Sequence, residues 1–158
     1  MSILIYAESA EGKFKKVAFE LASYAKAVAQ TMGTTVTAVT VNAGDVSELS
    51  KYGVDKVLKI NNDKLAGFTA KAYADAIKQA AQKENVKLVL LSSTTDSLYL
   101  APLVAVGLDA GFASNVVGLP VSTSPFQVKR TAFSNKAFNI TEINTDVKVL
   151  SLGKNSYG

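Results

Sequence analysis

The segment "LLSSTTDSLYLAPLVAVGLDAG", residues 90–111, contains the pattern that decides the fold. Aliphatic residues typical of a buried strand lead into six small hydroxyl and acidic residues, and a helical pattern follows. In open parallel sheets, ligands bind in such loops, at the carboxyl ends of the strands. The hydroxyls of Ser93, Thr94, Thr95 and Ser97, with the amides of the following helix, could therefore hold an anion.

The same loop can also be explained without a ligand. It contains no glycine that would let its backbone wrap a phosphate, no Lys or Arg, and an acid, Asp96, that would repel one. In this interpretation Asp96 or Ser97 is the N-cap of the helix, and Pro102 restarts or kinks it. The composition favours the capped helix and leaves the anion site as the weaker alternative.

The alternation of strand and helix continues towards the N-terminus. The periodicity predicts strands at 2–7, 34–41, 54–60 and 86–92, and helices at 15–32, 44–53 and 69–84. Asp45 is the predicted N-cap of the short helix, and Gly33 and Gly53 are predicted helix terminators. Four alternations predict a Rossmann-type α/β fold, with a parallel twisted sheet and helices on both faces.

After Gly111 the pattern changes. A short strand region at 113–122, broken at Gly118 and Pro120, is followed by three strand-like runs with short connections. These runs are 126–133, 136–143 and 146–153. Short connections predict an antiparallel β-meander. We therefore expect one domain over residues 1–158, with an α/β layer at 1–118 and a meander extension at 119–158.

The chain has no His and no Cys, which excludes Ser-His-Asp and Cys-His nucleophiles, His- or Cys-based zinc sites and thiol redox chemistry. We predict no catalytic residue and no metal site. Glu8 and Glu11 could form a glycosidase-type carboxylate pair, but nothing else indicates a sugar cleft, and a solvated loop is favoured. Tyr6, Tyr24 and Tyr73 lie on apolar faces and are predicted core residues.

The formal net charge is +4, from sixteen scattered lysines, one arginine and 13 acids. This distribution is typical of a solvated surface rather than a nucleic-acid site. Lys129 and Arg130 could bind a partner's carboxylate or a cofactor phosphate, or could be ordinary exposed strand residues. No apolar run is long enough to cross a bilayer, so we expect no membrane insertion. A strand that begins at Ser2 leaves no room for a targeting segment, and we expect a cytoplasmic prokaryotic protein.

Five segments, taken in order, carry a resemblance to a known family: "ILIYAESAEGKFKKVAFELASYAKAVAQTMGTTVTAVTV", "ELSKYGVDKVLKIN", "LVLLSSTTDSLYLAPLVAVGLDAGFASNVVGL", "VKRTAFSNKAF" and "VKVLSLGKNSY". Together they resemble the N-terminal domain of electron transfer flavoprotein alpha subunits. The resemblance implies an adenine-nucleotide alpha-hydrolase-like fold. It also implies a heterodimer with a beta subunit, which carries electrons from flavin-linked dehydrogenases to a downstream acceptor.

In this family the FAD is held mainly by a second alpha-subunit domain, which would begin about where the chain stops. The resemblance therefore implies no FAD in the chain itself, and residues after the meander would be a linker towards that domain. The family's other nucleotide belongs to the beta subunit, which agrees with the capped-helix interpretation of the loop. The competing function is a stand-alone nucleotide-binding module of the universal-stress-protein type. A hydrolase that uses Asp96 and the loop hydroxyls ranks last.

Three positions depart from the family pattern. Leu103 and Gly153 stand where the family usually has Arg, and Asn135 stands where it usually has Gly, whereas Arg130 and Lys136 match. We predict Arg130, Asn135 and Lys136 as interface residues on the meander, and expect that replacing Arg130 would barely change the stability of the isolated domain. The nearly uncharged stretch 88–128 is expected to supply core and part of a subunit interface.

Overall fold

The computed structural model describes residues 2–132 and 137–154, and within these ranges eight strands form one sheet. The strands are β1 (Ser2–Tyr6), β2 (Ser9–Ala10), β3 (Lys13–Phe14), β4 (Thr35–Val41), β5 (Lys56–Ile60), β6 (Leu88–Leu91), β7 (Gly111–Thr123), β8 (Phe126–Ala132), β9 (Ala137–Glu142) and β10 (Lys148–Leu152). The sheet order is β5-β4-β1-β6-β10-β7-β8-β9, and β2 pairs with β3 in a separate small hairpin. Neighbours from β5 to β7 are parallel, and the β7–β8 and β8–β9 pairs are antiparallel.

Helices cover both faces of the parallel strands. The α-helices of the described ranges are α1 (Lys16–Met32), α2 (Ala70–Lys83) and α3 (Thr95–Gly107), with short 3-10 helices at Ser47–Tyr52 and Asp63–Leu65. One face packs on α1 and the other on α2 and α3. Every residue of β1 and β6 is buried, because both of their faces are covered. The predicted α/β fold with an antiparallel C-terminal extension is confirmed.

The helix ends follow local chemistry. Gly33 ends α1 in the left-handed conformation (φ 67°), and its N–H donates to the carbonyl of Ala29, as expected for a C-terminal glycine. The sequence predicted Asp45 as the N-cap of the next helix, but Val46 holds that position. The Asp45 carboxylate instead accepts from the N–H of Ser47 at 2.9 Å, closing an Asx-type turn ahead of the 3-10 helix.

Strand β7 is continuous through the two predicted breaks. It runs from Gly111 to Thr123, and shifts of pairing register with β10 and β8 absorb its irregularities. Asn115 and Gly118 have positive φ values of 56° and 69° at these irregularities. A bulge accommodates an extra residue without ending the strand, so Gly118 marks a bulge rather than a break.

The prediction that residues 146–153 pair within the β-meander is wrong. Strand β10 is not the last strand of the meander; it lies between β6 and β7 and is parallel to both, with Val149 opposite Val89 and Phe112. Val149, Leu150, Ser151 and Leu152 are all buried. A strand that is apolar on both faces is stabilised most where both faces are covered, at the centre of a parallel sheet. Residues 148–152 therefore belong with the α/β layer, and β7, β8 and β9 form the antiparallel extension.

The central position of β10 can be tested with a matched pair of truncations. Leu150 is 0% exposed, and Ile140 on the edge strand β9 is 55% exposed. We expect Leu150→Ala to lower the free energy of unfolding by about 2–5 kcal/mol, because it leaves a cavity in the core. Ile140→Ala should lower it by less than about 1 kcal/mol. Urea unfolding of both variants measures the difference, and equally small losses would place residues 148–152 at an edge.

Candidate functional site

The strand order creates a topological switch point between β1 and β6. The chain leaves β1 for β4 and β5 on one side, and then crosses back to β6 on the other side of β1. In open α/β sheets, ligands bind in the crevice at the carboxyl ends of the strands at such a point. The segments that follow β1 and β6 both enter this crevice, and they bring Glu8 next to Ser92 and Thr94.

The Glu8 carboxylate lies at the centre of the crevice. Its Oε1 accepts hydrogen bonds from the hydroxyls of Ser92 (3.0 Å), Thr94 and Ser97, and its Oε2 accepts from Lys15 Nζ at 3.1 Å. Glu8 is only 2% exposed, so the solvated loop favoured by the sequence is wrong for this residue. The backbone explains why, since the Ala7 N–H bonds to the Val39 carbonyl and keeps the chain against the sheet beyond β1.

Glu8 is an anion at neutral pH despite its burial. Burial alone raises the pKa of the carboxyl group. The hydrogen bonds from Ser97, Thr94 and Lys15, together with the charge of Lys15, lower the pKa by more than burial raises it. The net result is a pKa below the ordinary glutamate value. A buried carboxylate is stable only when it is paired and hydrogen-bonded, and these four donors satisfy that requirement.

The N-terminus of α3 is built into the same cluster. Thr94 is the N-cap residue, and its Oγ1 accepts from the Ser97 N–H at 3.2 Å while its hydroxyl proton is directed to Glu8. The sequence predicted Asp96 or Ser97 as the N-cap, but both residues lie in the first turn of α3. A Thr hydroxyl can accept from the helix and donate to the carboxylate at once, which a deprotonated Asp cannot do. Pro102 lies inside α3, which continues to Gly107 without a restart.

The predicted anion-site hydroxyls divide into two pairs. Thr94 and Ser97 converge on Glu8, whereas Thr95 is exposed and Ser93 is half-buried. Ser92, which the sequence analysis did not select, takes their place with a hydroxyl bond to Glu8. Ser92 could have been identified as the first polar residue after a fully buried strand, and the same sequence signal applies to Glu8.

A groove of about 310 Å³ opens beside this cluster, at the ends of β1 and β4. Tyr6 and Tyr73 contribute phenol rings, Glu11 and Asp96 contribute carboxylates, and Lys15 is the single cation among the lining residues. Burial and then the charge of Glu8 raise the pKa of the Tyr6 phenol, which stays neutral. Since Lys15 already pairs with Glu8, the acidic lining disfavours a phosphate.

The predicted interface residue Arg130 has a partner within the sheet. It is half-buried, and its Nε donates to the Ser114 carbonyl at 2.7 Å while its Nη2 donates to the Ser114 hydroxyl at 3.3 Å. Ser114 and Asn115 lie where β7 bulges against β10, so Arg130 binds the irregular part of that strand.

The other predicted interface residues, Asn135 and Lys136, lie outside the described residues. Lys129 is exposed, with its Nζ 4.2 Å from the centre of the Phe138 ring.

The outer face of α3 is apolar and uncovered. Four large apolar side chains on this helix are 44–81% exposed: Leu98, Tyr99, Leu103 and Val106. The sequence analysis expected interface residues within 88–128 but did not identify this face. Positions 99, 103 and 106 have helical spacing, and this signal could have identified the face.

A second exposed apolar pair lies on β9. Phe138 and Ile140 share a sheet face with Lys129, since Ile140 lies opposite Lys129.

Ranges 2–132 and 137–154 contain no group of three or more His, Cys, Asp or Glu that could hold a metal ion. In the same ranges no helix has both the length and the apolar character that a membrane span requires.

Comparison with known proteins gives a consistent result. A family model described as the electron transfer flavoprotein domain matches residues 3–158. An electron transfer flavoprotein subunit alpha from Thermoanaerobacterium thermosaccharolyticum is 32% identical over 75% of this chain and 37% of its own length. One from Bacillus subtilis is 25% identical over 94% of this chain and 46% of its own length. The subunit LctC of a lactate dehydrogenase (NAD(+),ferredoxin) from Acetobacterium woodii is 28% identical over 90% of this chain and 35% of its own length. The chain thus spans less than half of the relatives that it matches.

The charge of Glu8 predicts a specific dependence of stability on pH. We expect Glu8→Gln to lower the free energy of unfolding at pH 7 by about 1–3 kcal/mol, because Lys15 and three hydroxyls lose an ionised acceptor. The folded-state pKa is below the ordinary value of 4.5, so this stabilisation is present above about pH 4.5 and is lost as pH falls through the folded-state pKa.

Denaturant unfolding of the wild type and of Glu8→Gln at several pH values between 7 and 3 measures this effect. Asp45 and Asp146 also have lowered pKa values, but both are present in each protein and cancel in the difference. A gap between the two proteins that stays constant down to pH 3 would contradict the assignment of the charge to Glu8.

Proposed function

The chain belongs to the electron transfer flavoprotein family, as an N-terminal domain of the alpha-subunit type, and from this premise we propose that it serves as a structural and docking domain without redox chemistry of its own. In this proposal it assembles with a beta subunit and with a further alpha-subunit domain that holds most of the FAD. The complete protein then carries electrons from flavin-linked dehydrogenases to a downstream acceptor.

The observation that carries the proposal is the uncovered apolar face of α3. Monomeric proteins rarely expose several large apolar side chains side by side unless the surface binds a partner. Leu98, Tyr99, Leu103 and Val106 form such a surface on one helix. The relatives extend over more than half of their length beyond the matched part, which provides protein that could cover it. Leu103 stands where the resemblance implies an arginine, and its exposed side chain makes the surface more apolar.

The crevice supports a docking role over a nucleotide-binding role. Its hydroxyls and its lysine already bind Glu8, and the neighbouring groove is lined by Glu11 and Asp96. A stand-alone nucleotide-binding module would need free donors for phosphate at this position. Nothing in the described residues favours that alternative over docking.

The relatives' names fit a component that serves different complexes. Two are called electron transfer flavoprotein subunits, and LctC is called a subunit of a lactate dehydrogenase. A domain that supplies surface and scaffold, rather than reacting groups, can be used in both settings. We therefore assign no catalytic residue to the chain.

Substitution on α3 tests the docking surface. We expect Val106→Lys to weaken assembly with the beta subunit and flavin-holding domain of the same organism at least tenfold, about 1.4 kcal/mol, because the side chain is 81% exposed and would be buried by the partner. Gln30→Lys is the matched control, since it adds the same charge at an exposed position in the last part of α1. Calorimetric titration measures both, and equal affinities would contradict a partner on α3.

Arg130 requires two measurements on one variant. Because its two bonds to Ser114 lie within the sheet, we now expect Arg130→Ala to lower the stability of the isolated domain by about 1–2 kcal/mol, more than the sequence suggested. If Arg130 also contacts a partner, assembly of the folded variant should weaken by about 1–3 kcal/mol. Unchanged assembly together with the loss of stability would assign Arg130 to the sheet alone.

A further inference from the structure

The crevice between β1 and β6 has the donors of an anion-binding site. Three hydroxyls, from Ser92, Thr94 and Ser97, point at one oxygen position, and the Lys15 ammonium group binds the neighbouring oxygen position. The N-terminus of α3 begins at the same place, where a helix favours negative charge. The position also lies at the topological switch point of the sheet, where α/β proteins hold their ligands.

The anion in this position belongs to the protein. The Glu8 carboxylate uses one oxygen for the three hydroxyls and the other for Lys15, and it is almost completely buried. The three hydroxyl donors belong to one turn, and the carboxylate that they share comes from a distant segment, since Glu8 is separated from Ser97 by 89 residues. Capping explains why Thr94 and Ser97 are neighbours, but it does not direct their hydroxyl protons to one oxygen, and the shared negative charge explains that convergence.

We infer that Glu8 is an internal ligand: its carboxylate occupies the anion-binding position at the switch point and keeps small carboxylates and phosphates out of it. The site would accept an external anion only when the Glu8 carboxylate is removed. This inference goes beyond the docking role and does not depend on it, because it concerns the isolated chain.

Truncation of Glu8 would leave a vacancy of defined chemistry. Glu8→Ala removes the Cγ methylene and the carboxylate, which together correspond to one acetate ion. Acetate should therefore enter the site, accept from the same three hydroxyls and pair with Lys15. Glu8→Gln is the matched control, since the amide fills the same space without a charge.

The experiment measures the Tm of the wild type, Glu8→Ala and Glu8→Gln at pH 7 in sodium acetate, with sodium chloride at equal ionic strength as the reference. We expect a saturable rise for Glu8→Ala, about 3 °C when acetate reaches ten times its Kd, and no difference between the two salts for the other proteins. If Glu8→Ala is unfolded in chloride, acetate should restore its circular dichroism.

Two results would overturn the inference. One is a folded Glu8→Ala protein whose response to acetate equals that of the wild type and Glu8→Gln. The other is a Glu8→Ala protein that stays unfolded at every acetate concentration. Neither result would bear on assembly, which is measured with Val106→Lys on the wild-type crevice.

Discussion

The insertion of β10 between β6 and β7 is the constraint on which the rest of the structure depends. In the sheet order, β10 is the strand that joins the parallel half, β5 to β6, to the extension formed by β7, β8 and β9. Its residues Val149, Leu150 and Leu152 contribute to the cores on both faces of the sheet. The last described strand of the chain therefore joins the two halves of a sheet that begins with Ser2.

This dependence shows why the sequence predicts the positions of strands and helices better than it predicts which strands pair. The strand at 2–7 and the helix at 15–32 have signals within a few residues, namely an apolar run and a helical period that ends at Gly33. The partners of residues 148–152 are decided by burial of both faces, which depends on two strands far earlier in the chain, since Lys148 pairs with Leu88 and with Gly111. Short connections indicated a meander, but the gain from burying Leu150 outweighs the preference for local pairing.

The crevice shows the same limit at the level of side chains. The sequence correctly indicates a capped helix start in this loop, because capping is local, but it selects Asp96 or Ser97 as the N-cap where the structure has Thr94. It cannot indicate that Glu8 accepts from Thr94 and Ser97, because that contact spans more than 80 positions. A glutamate in a polar loop is usually solvated, and only the approach of β1 to β6 makes burial favourable here.

Helix α3 connects the buried charge to the exposed surface. Its first residues, Thr94 and Ser97, bind Glu8, and its outer face carries Tyr99 and Val106. Because a helix moves largely as a rigid unit, fixing its first turn to Glu8 also fixes the direction of that outer face. A docking surface with a fixed direction binds with less loss of conformational entropy than a mobile one. The internal ligand and the proposed interface thus involve the same helix. By holding the first turn of α3, the Glu8 carboxylate also contributes to the proposed interface on its outer face.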